Sequence, residues 1–401
     1  MDRNTSKVWL VGGGIASMAA AAFMIRDGDI PGRNIAIFED LGKLGGSLDA
    51  GGSPGAGYVL RGGRMFESKY LCTFSLFDSI PALSGDRTVT REIMAWNETM
   101  HTESKSRLVR DGHRETAPAF GLNERHIVDI ARLAVESESM LGRTRISDQF
   151  DGAFFETNFW KMWCTTFAFQ PWHGAVEFKR YLVRFAHMVG GFNRLIGIMR
   201  TPYNQYDAMV RPLRKWLDER GVVFEMNTRV TDLRFAEASG NSVVTHILTE
   251  RAGTAREIAV AATDAVIVTL GSMTDASSVG SMDAAPAMLD KTHGSSLALW
   301  EKLADGRPAF GHPAVFFDHI DESKWVSFTT TMHDPMLVRM IGDFTGNVPG
   351  EGGLVTFADS GWLASIVVPF QPHVIGQPAD TTVLWGYGLA VDRPGTFVES
   401  R

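Results

Sequence analysis

Cysteine is nearly absent from this chain, with Cys72 and Cys164 the only two in 401 residues. Two cysteines cannot form a disulfide framework, and no paired Cys/His spacing matches a zinc site. A reducing, cytoplasmic setting is therefore the default expectation. No stretch approaches the roughly 20 consecutive apolar residues of a membrane-spanning helix. Positive charge is not in excess either. Thirty-nine Lys and Arg face 46 Asp and Glu, a net charge of −7, which argues against nucleic acid as the main partner. A Gly-x-Ser-x-Gly elbow is missing, so a serine hydrolase has no nucleophile here. The 11 histidines fall into no metal or catalytic spacing, and no internal repeat occurs. What remains is an ordinary globular composition, 44% hydrophobic and 21% charged. It excludes disorder, collagen and coiled coil, and at roughly 150 residues per domain it implies two or three domains.

Arg3 and Lys7 precede the apolar run from Val8 to Ile25, superficially a secretory signal. But Gly12, Gly13 and Gly14 interrupt that run, and Arg26-Asp27 follows without a small-residue cleavage site. It reads instead as a strand over 7–12, an Ala-rich helix over 15–27 and a second strand over 34–38 ending in Glu39-Asp40. Gly12-Gly13-Gly14-Ile15-Ala16-Ser17 is then a Gly-x-Gly-x-x-Ser turn between strand and helix. Gly12 permits the tight turn, and Gly14 lets the backbone approach a pyrophosphate at the helix N-terminus. Ser17 stands where close helix–sheet packing tolerates little bulk. Glu39 is placed to accept hydrogen bonds from an adenosine ribose. Alone such a turn is as easily structural; its flanking strand, helix and acid favour a dinucleotide.

Further glycine-rich and polar segments extend the candidate cofactor site. They are Gly45-Gly46-Ser47, Arg61-Gly62-Gly63-Arg64 with Met65, Val230 in Asn227-Thr228-Arg229-Val230, and Ser272 in the turn Gly271-Ser272. So dispersed a set suits a long cofactor threaded between two domains, hence FAD rather than NAD. Elsewhere, spacing predicts helices over 67–79, 123–140 and 206–220, and a charged loop over 98–115. It also predicts a strand over 222–226, a hairpin over 242–261 and a strand-rich region over 295–391. The expected fold is α/β: a discontinuous Rossmann-like FAD-binding domain, residues 1–95 and 205–292, with an inserted mixed α+β substrate and lid region, 96–204 and 293–401.

Five motifs carry a resemblance to a known family. They are Gly12–Ser17, Gly45-Gly46-Ser47-Leu48-Asp49, Arg61-Gly62-Gly63-Arg64, Phe169-Gln170-Pro171-Trp172-His173 and the run from Arg200-Thr201-Pro202 to Asp207. The chain resembles the oleate hydratases, FAD-dependent enzymes once called myosin-cross-reactive antigens. The resemblance implies water addition across the cis double bond of a long-chain unsaturated fatty acid, oleate giving 10-hydroxystearate, with FAD in a non-redox role. It implies that Tyr181 protonates the alkene and that Gln205, His373 and Trp172 contact the substrate. Peripheral membrane contact is compatible with such a substrate.

The chain departs from the family pattern in three places. Where most members have the water-activating Glu, it has Met65; Glu67 is close in sequence, but it reads equally as a first-turn helix acid. At the two positions the resemblance assigns to carboxylate-binding Thr and Asn stand Val367 and Pro369. The sequence stops before the segment that completes the flavin site in relatives. Tyr181, likewise, reads either as the proton donor or as a packed aromatic, and the aromatic band from Phe154 to Trp172 as a lipid tunnel or as core. Two other readings remain open: a flavoprotein oxidoreductase of amine oxidase or desaturase type, and an inactive fragment binding FAD or fatty acid.

Overall fold

The computed structural model describes residues 4–61, 63–238, 241–270, 275–319, 322 and 325–389. Gly62 and Ser272, both expected at the cofactor, lie outside the described residues. By mutual contact the chain forms two compact units. One comprises Met1–Ala50, Leu71–Glu92 and Asn204–Ser323; the other comprises Gly51–Tyr70, Ile93–Tyr203 and Lys324–Arg401. Relative to the expected boundaries, residues 51–70 and 93–95 group with the second unit, and 204 and 293–323 with the first.

The first unit contains a parallel sheet. Among the described residues its strands run in the order Ala265–Val268, Val8–Val11, Ile35–Phe38, Val223–Glu225, every pair parallel. Parallel neighbours require a crossover, and the helix Ile15–Arg26 supplies it between the two N-terminal strands. Val8, Leu10, Ile35 and Ile37 are wholly buried, as are Met18, Ala21 and Ala22 of the helix. Small side chains on that helix face let it lie close to the sheet. The α/β, Rossmann-like class expected from the sequence is the class observed.

An antiparallel meander of Arg229–Ala238, Asn241–Arg251 and Thr254–Ala259 follows. Alternation predicts only its last two strands. The first is concealed because register shifts between Val230 and Asp232, and between Arg234 and Phe235, break the period of two. The helix predicted over 206–220 is a π-helical turn, Tyr206–Val210, continued by the α-helix Arg211–Asp218. Pro212 cannot donate to the preceding turn, and the register changes there.

In the second unit, strands pair in the order Val326–Met332, Thr382–Gly388, Ala364–Val367, Val355–Phe357, Leu108–Arg110, His113–Glu115. All pairs are antiparallel except Val355–Phe357 with Leu108–Arg110. The charged segment 98–115 is therefore not wholly loop. Asp111 and Gly112, with φ of 49° and 73°, form the positive-φ pair that a tight hairpin turn needs. The helix predicted over 123–140 is interrupted. Asn123 caps Glu124–Val135 by accepting from the His126 N–H at 2.9 Å, and Ser137 caps a separate turn, Glu138–Leu141. The helix predicted from Glu67 begins only at Leu71 and runs to Phe77. Glu67 instead accepts from the Lys69 N–H with its carboxylate and from the Tyr70 N–H with its carbonyl, a local turn that competes with helix. The strand-rich region 295–391 also contains the helices Ser295–Ala304 and Met336–Thr345.

The aromatic band is the packed core of the second unit. Phe154, Phe159, Trp160 and Trp163 are buried, and Phe150 stacks on Phe154 at 4.0 Å between ring centres.

Candidate functional site

In the first unit the Gly-rich turn is built around Glu39. Gly12 has φ of 94°, and a Cβ there would lie 2.9 Å from the Thr269 carbonyl oxygen. The Gly13 N–H donates to Glu39 Oε2 at 2.9 Å, and a Cβ on Gly13 would come within 2.6 Å of that oxygen. The Leu41 N–H donates to Glu39 Oε1 at 2.8 Å. The acid at the end of the second strand is thus tied back onto the turn. Burial pushes its pKa up, against the pull of the Leu41 and Gly13 donors. Each carboxylate oxygen keeps a further lone pair, so ribose hydroxyls can still be received.

Gly14 begins the helix Ile15–Arg26, and no side chain caps it, so no side chain claims its first-turn N–H groups. Ser17 is wholly buried, its Oγ 3.1 Å from Thr269 Oγ1, which donates to the Val11 carbonyl at 2.8 Å. It serves helix–sheet contact. The Gly45 N–H donates to the Gly13 carbonyl at 3.0 Å, and a Cβ on Gly46 would lie 3.2 Å from the Gly14 Cα. Two glycine-rich stretches therefore meet backbone to backbone beside the helix start, with Ser47 half-buried next to them. The Val230 side chain belongs to the core with Val11 and Phe38. This cradle, which a Cβ at position 12, 13 or 46 would crowd, fits the pyrophosphate and ribose of a dinucleotide.

In the second unit, Arg64 Nη1 donates to the Arg61 carbonyl at 3.2 Å, and burial lowers the pKa of its guanidinium. A Cβ on Gly63 would lie 2.7 Å from the Trp385 ring. Met65 is half-buried, and after it Phe66 pairs with Met199 through two backbone hydrogen bonds of 3.0 and 2.8 Å. Glu67 is 2% exposed. It accepts from Arg184 and from the Lys69 N–H at 2.9 Å, and lies 3.4 Å from His187 Nε2. Burial alone would raise its pKa, but Lys69 and Arg184 outweigh it and hold the carboxyl below its usual range.

Arg184 also lies over the Tyr70 ring, 5.2 Å from its centre. One helical turn before it on Ala175–Phe185 is Tyr181, 41% exposed, edge-on to Phe167 and Phe169 at 5.2 and 5.1 Å. The Tyr181 hydroxyl makes no hydrogen bond among the described residues. Lys179 instead donates to the Glu136 carbonyl and Arg180 pairs with Glu138. The structure so groups Glu67, Tyr70, Tyr181, Arg184 and His187. Tyr70 and His187 carry no sequence signal, because nothing in spacing relates residue 67 to residue 187.

Trp172 is half-buried, edge-on to His173 at 6.3 Å. The His373 N–H donates to Gln377 Oε1 at 2.8 Å, and Gln377 donates to Gln371 Oε1 at 2.8 Å, fixing the Gln371-Pro372-His373 turn. Gln205 is buried in the first unit, whereas His373 and Trp172 belong to the second. Among the described residues no three His, Cys, Asp or Glu are placed to hold a metal, and no helix is long and apolar enough to cross a membrane.

Residues 5–401 match the MCRA family. An oleate hydratase of Streptococcus pyogenes serotype M49 (strain NZ131) is 35% identical over 98% of this chain and 68% of its own length. A linoleate hydratase of Lactiplantibacillus plantarum is 32% identical over 98% of this chain and 75% of its own. Among solved structures, a reduced UDP-galactopyranose mutase covers 96% of this chain and 74% of its own at 12% identity and TM-score 0.49. A fatty acid isomerase from P. acnes covers 67% and 60% at 14% identity and TM-score 0.40. Likenesses at those scores bear no weight on the chemistry. With the family match spanning nearly every residue and both hydratases aligned over almost the whole sequence, the chain belongs to the MCRA family.

Proposed function

We infer that the chain is a fatty-acid hydratase, a hydro-lyase adding water across a cis double bond of a long-chain unsaturated fatty acid, oleate giving 10-hydroxystearate. The observation that carries this is the 35% identity with an oleate hydratase across 98% of the chain. FAD is the cofactor in this reading. Gly12, Gly14, Gly45, Gly46 and Ser47 hold its pyrophosphate, Glu39 its ribose and the Val230 backbone its adenine. Ser17 seats the helix, and Arg61, Gly63, Arg64 and Met65 serve the flavin end. Bound flavin supplies electrostatic stabilisation of positive charge, with no net redox change.

Tyr181 carries the proton. Its hydroxyl proton passes to one alkene carbon while water bonds to the other, and the surplus proton of that water returns to the phenolate. A phenol, a weak acid, does this only when aligned with the alkene and shielded from water, so the 41% exposure of Tyr181 must fall as the fatty acid binds over it. Glu67 acts as a positioning residue, holding Arg184 and His187 one turn and two turns beyond Tyr181. Gln205, His373 and Trp172 contact the substrate, which partitions into lipid, so peripheral membrane contact belongs to the same reading.

Mass spectrometry of products from oleic acid, FAD and a reductant in D2O tests it. A hydroxystearate with one carbon-bound deuterium is expected. Flavin reduction coupled to oleate loss, or oleate bound stoichiometrically without product, would overturn it.

A further inference from the structure

Water that bonds to an alkene carbon brings two hydrogens, and the alcohol keeps one. The other leaves to a base within hydrogen-bond reach of the attacking oxygen. Tyr181, which in the reading above protonates the other carbon, is no such base until its own proton has gone. The cluster around it offers four further groups: Glu67, Tyr70, Arg184 and His187.

Three of them are unsuited to the task. A guanidinium has no acceptor, and that of Arg184 is already held by the Glu67 carboxylate, the Tyr70 ring at 5.2 Å and the Phe185 ring at 5.4 Å. Burial pushes the Tyr70 phenol up, so it stays protonated at neutral pH. Glu67 is 2% exposed, and one of its oxygens accepts from Arg184 while the other accepts from the Lys69 N–H. Its carboxyl is held below the usual range, which makes it a weak base shut away from water.

His187 remains. Its Nε2 lies 3.4 Å from Glu67 Oε2, 33% of its side chain is exposed, and the ring makes no hydrogen bond among the described residues. One nitrogen therefore faces a fixed anion, and the other is uncommitted. A carboxylate so placed sets the tautomer of an imidazole, drawing the N–H towards itself and leaving the lone pair on the far nitrogen. The spacing is long for a hydrogen bond, as acid–base contacts commonly are before substrate fills a site. His187 lies six residues beyond Tyr181, where the helix Ala175–Phe185 continues into the 3-10 turns Ala186–Arg194. Their rise sets the two residues about 9–10 Å apart along the axis. The Phe185 ring links the two ends of the cluster, 5.9 Å from the Tyr181 ring and 5.4 Å from the Arg184 guanidinium. Acid and base are thus carried apart on one continuous helical segment, as protonation of one carbon and attack of water on the next requires.

We propose that His187, oriented by Glu67, is the general base of the hydration. Its far nitrogen takes the proton from water as the oxygen bonds to the second alkene carbon. The imidazolium then passes that proton through solvent to the Tyr181 phenolate, which restores both groups. This rests on the fatty-acid reading above and supplies the route by which the surplus proton returns.

Hydration of oleate by the FAD-loaded full chain, followed as a function of pH, tests the proposal. Wild type should lose kcat/KM on acidification as the base becomes protonated. His187→Gln should lower kcat about 100- to 1,000-fold with KM within about threefold, and should abolish that acidic limb. Imidazole added to His187→Ala should raise its rate at least about tenfold. If His187→Gln fails to fold, His187→Asn carries the same comparison. Wild-type kcat in the folded variant, or an acidic limb that persists in it, overturns the proposal; so does a slow His187→Ala that imidazole does not rescue. A residue that only seats the Glu67 side chain gives those results. Absence of hydroxystearate from the wild-type reaction defeats the functional reading itself, and the general-base assignment falls with it.

Discussion

One buried Glu67 carboxylate accepts from Arg184 and lies 3.4 Å from His187, and Arg184 ties that carboxylate to the helix bearing Tyr181. Because folding lowers its pKa, its stabilising contribution is complete above the unfolded value, near 4.3, and is lost as pH falls through the lower folded value. Glu67→Gln should therefore cost about 1–3 kcal/mol at neutral pH, less than a fully enclosed pair because Arg184 is partly solvated. The two proteins should converge in stability on acidification, as measured by urea unfolding across pH. A gap that persists in acid would mean that packing, not charge, is what the residue supplies. Glu39 is a different case, since its oxygens serve the turn before any nucleotide arrives. Glu39→Ala should reduce flavin affinity at least tenfold through both the lost ribose acceptor and the slackened turn, roughly 1.4 kcal/mol or more. Fluorescence titration with FAD reads this directly, and unchanged affinity would remove Glu39 from the cofactor site.

Among the elements, the turn from Gly12 to Ser17 was legible because each residue answers a local demand: a positive φ, a close approach, a small helix face. The same logic makes Gly45 testable. With φ of 112° and a Cβ that would meet Val210 at 3.2 Å, Gly45→Ala should destabilise by about 1–3 kcal/mol and weaken FAD binding, seen as a lower Tm and reduced flavin retention. Full retention would show that the loop has room to shift. Elsewhere legibility failed for physical reasons. Bulges hid Arg229–Ala238 by breaking its alternation, and the carboxylate of Glu67 diverted a predicted helix start into a turn. The Asp111-Gly112 hairpin signal was present but sat inside a charged stretch that reads as loop. Arg107 looks in sequence like any surface arginine; only its burial distinguishes it. Tyr387, whose hydroxyl donates to the Thr165 carbonyl inside that core, should cost about 1 kcal/mol on change to Phe, measured by chemical unfolding.

At the scale of the whole molecule, cofactor and stability are linked. FAD at a hundredfold its Kd should add about 2.7 kcal/mol to unfolding if only the folded chain binds it. Hydrogen exchange should then slow at the Gly12–Ser17 and Gly45–Ser47 amides; protection elsewhere alone would place the nucleotide in another site. Each contact unit is assembled from separated stretches of sequence, and the second unit's sheet shows what this entails. The strand Leu108–Arg110 takes Val355–Phe357 as its parallel neighbour, with Leu108 opposite Thr356. A ribosome makes the first long before the second, and at cellular rates of synthesis the interval is on the order of tens of seconds. Throughout that interval the nascent chain carries an unpaired strand edge, next to Arg107, whose eventual acceptor Leu354 has not been made. Successful expression should accordingly depend on what shields that edge during translation, and a chaperone that binds extended apolar segments is the natural shield.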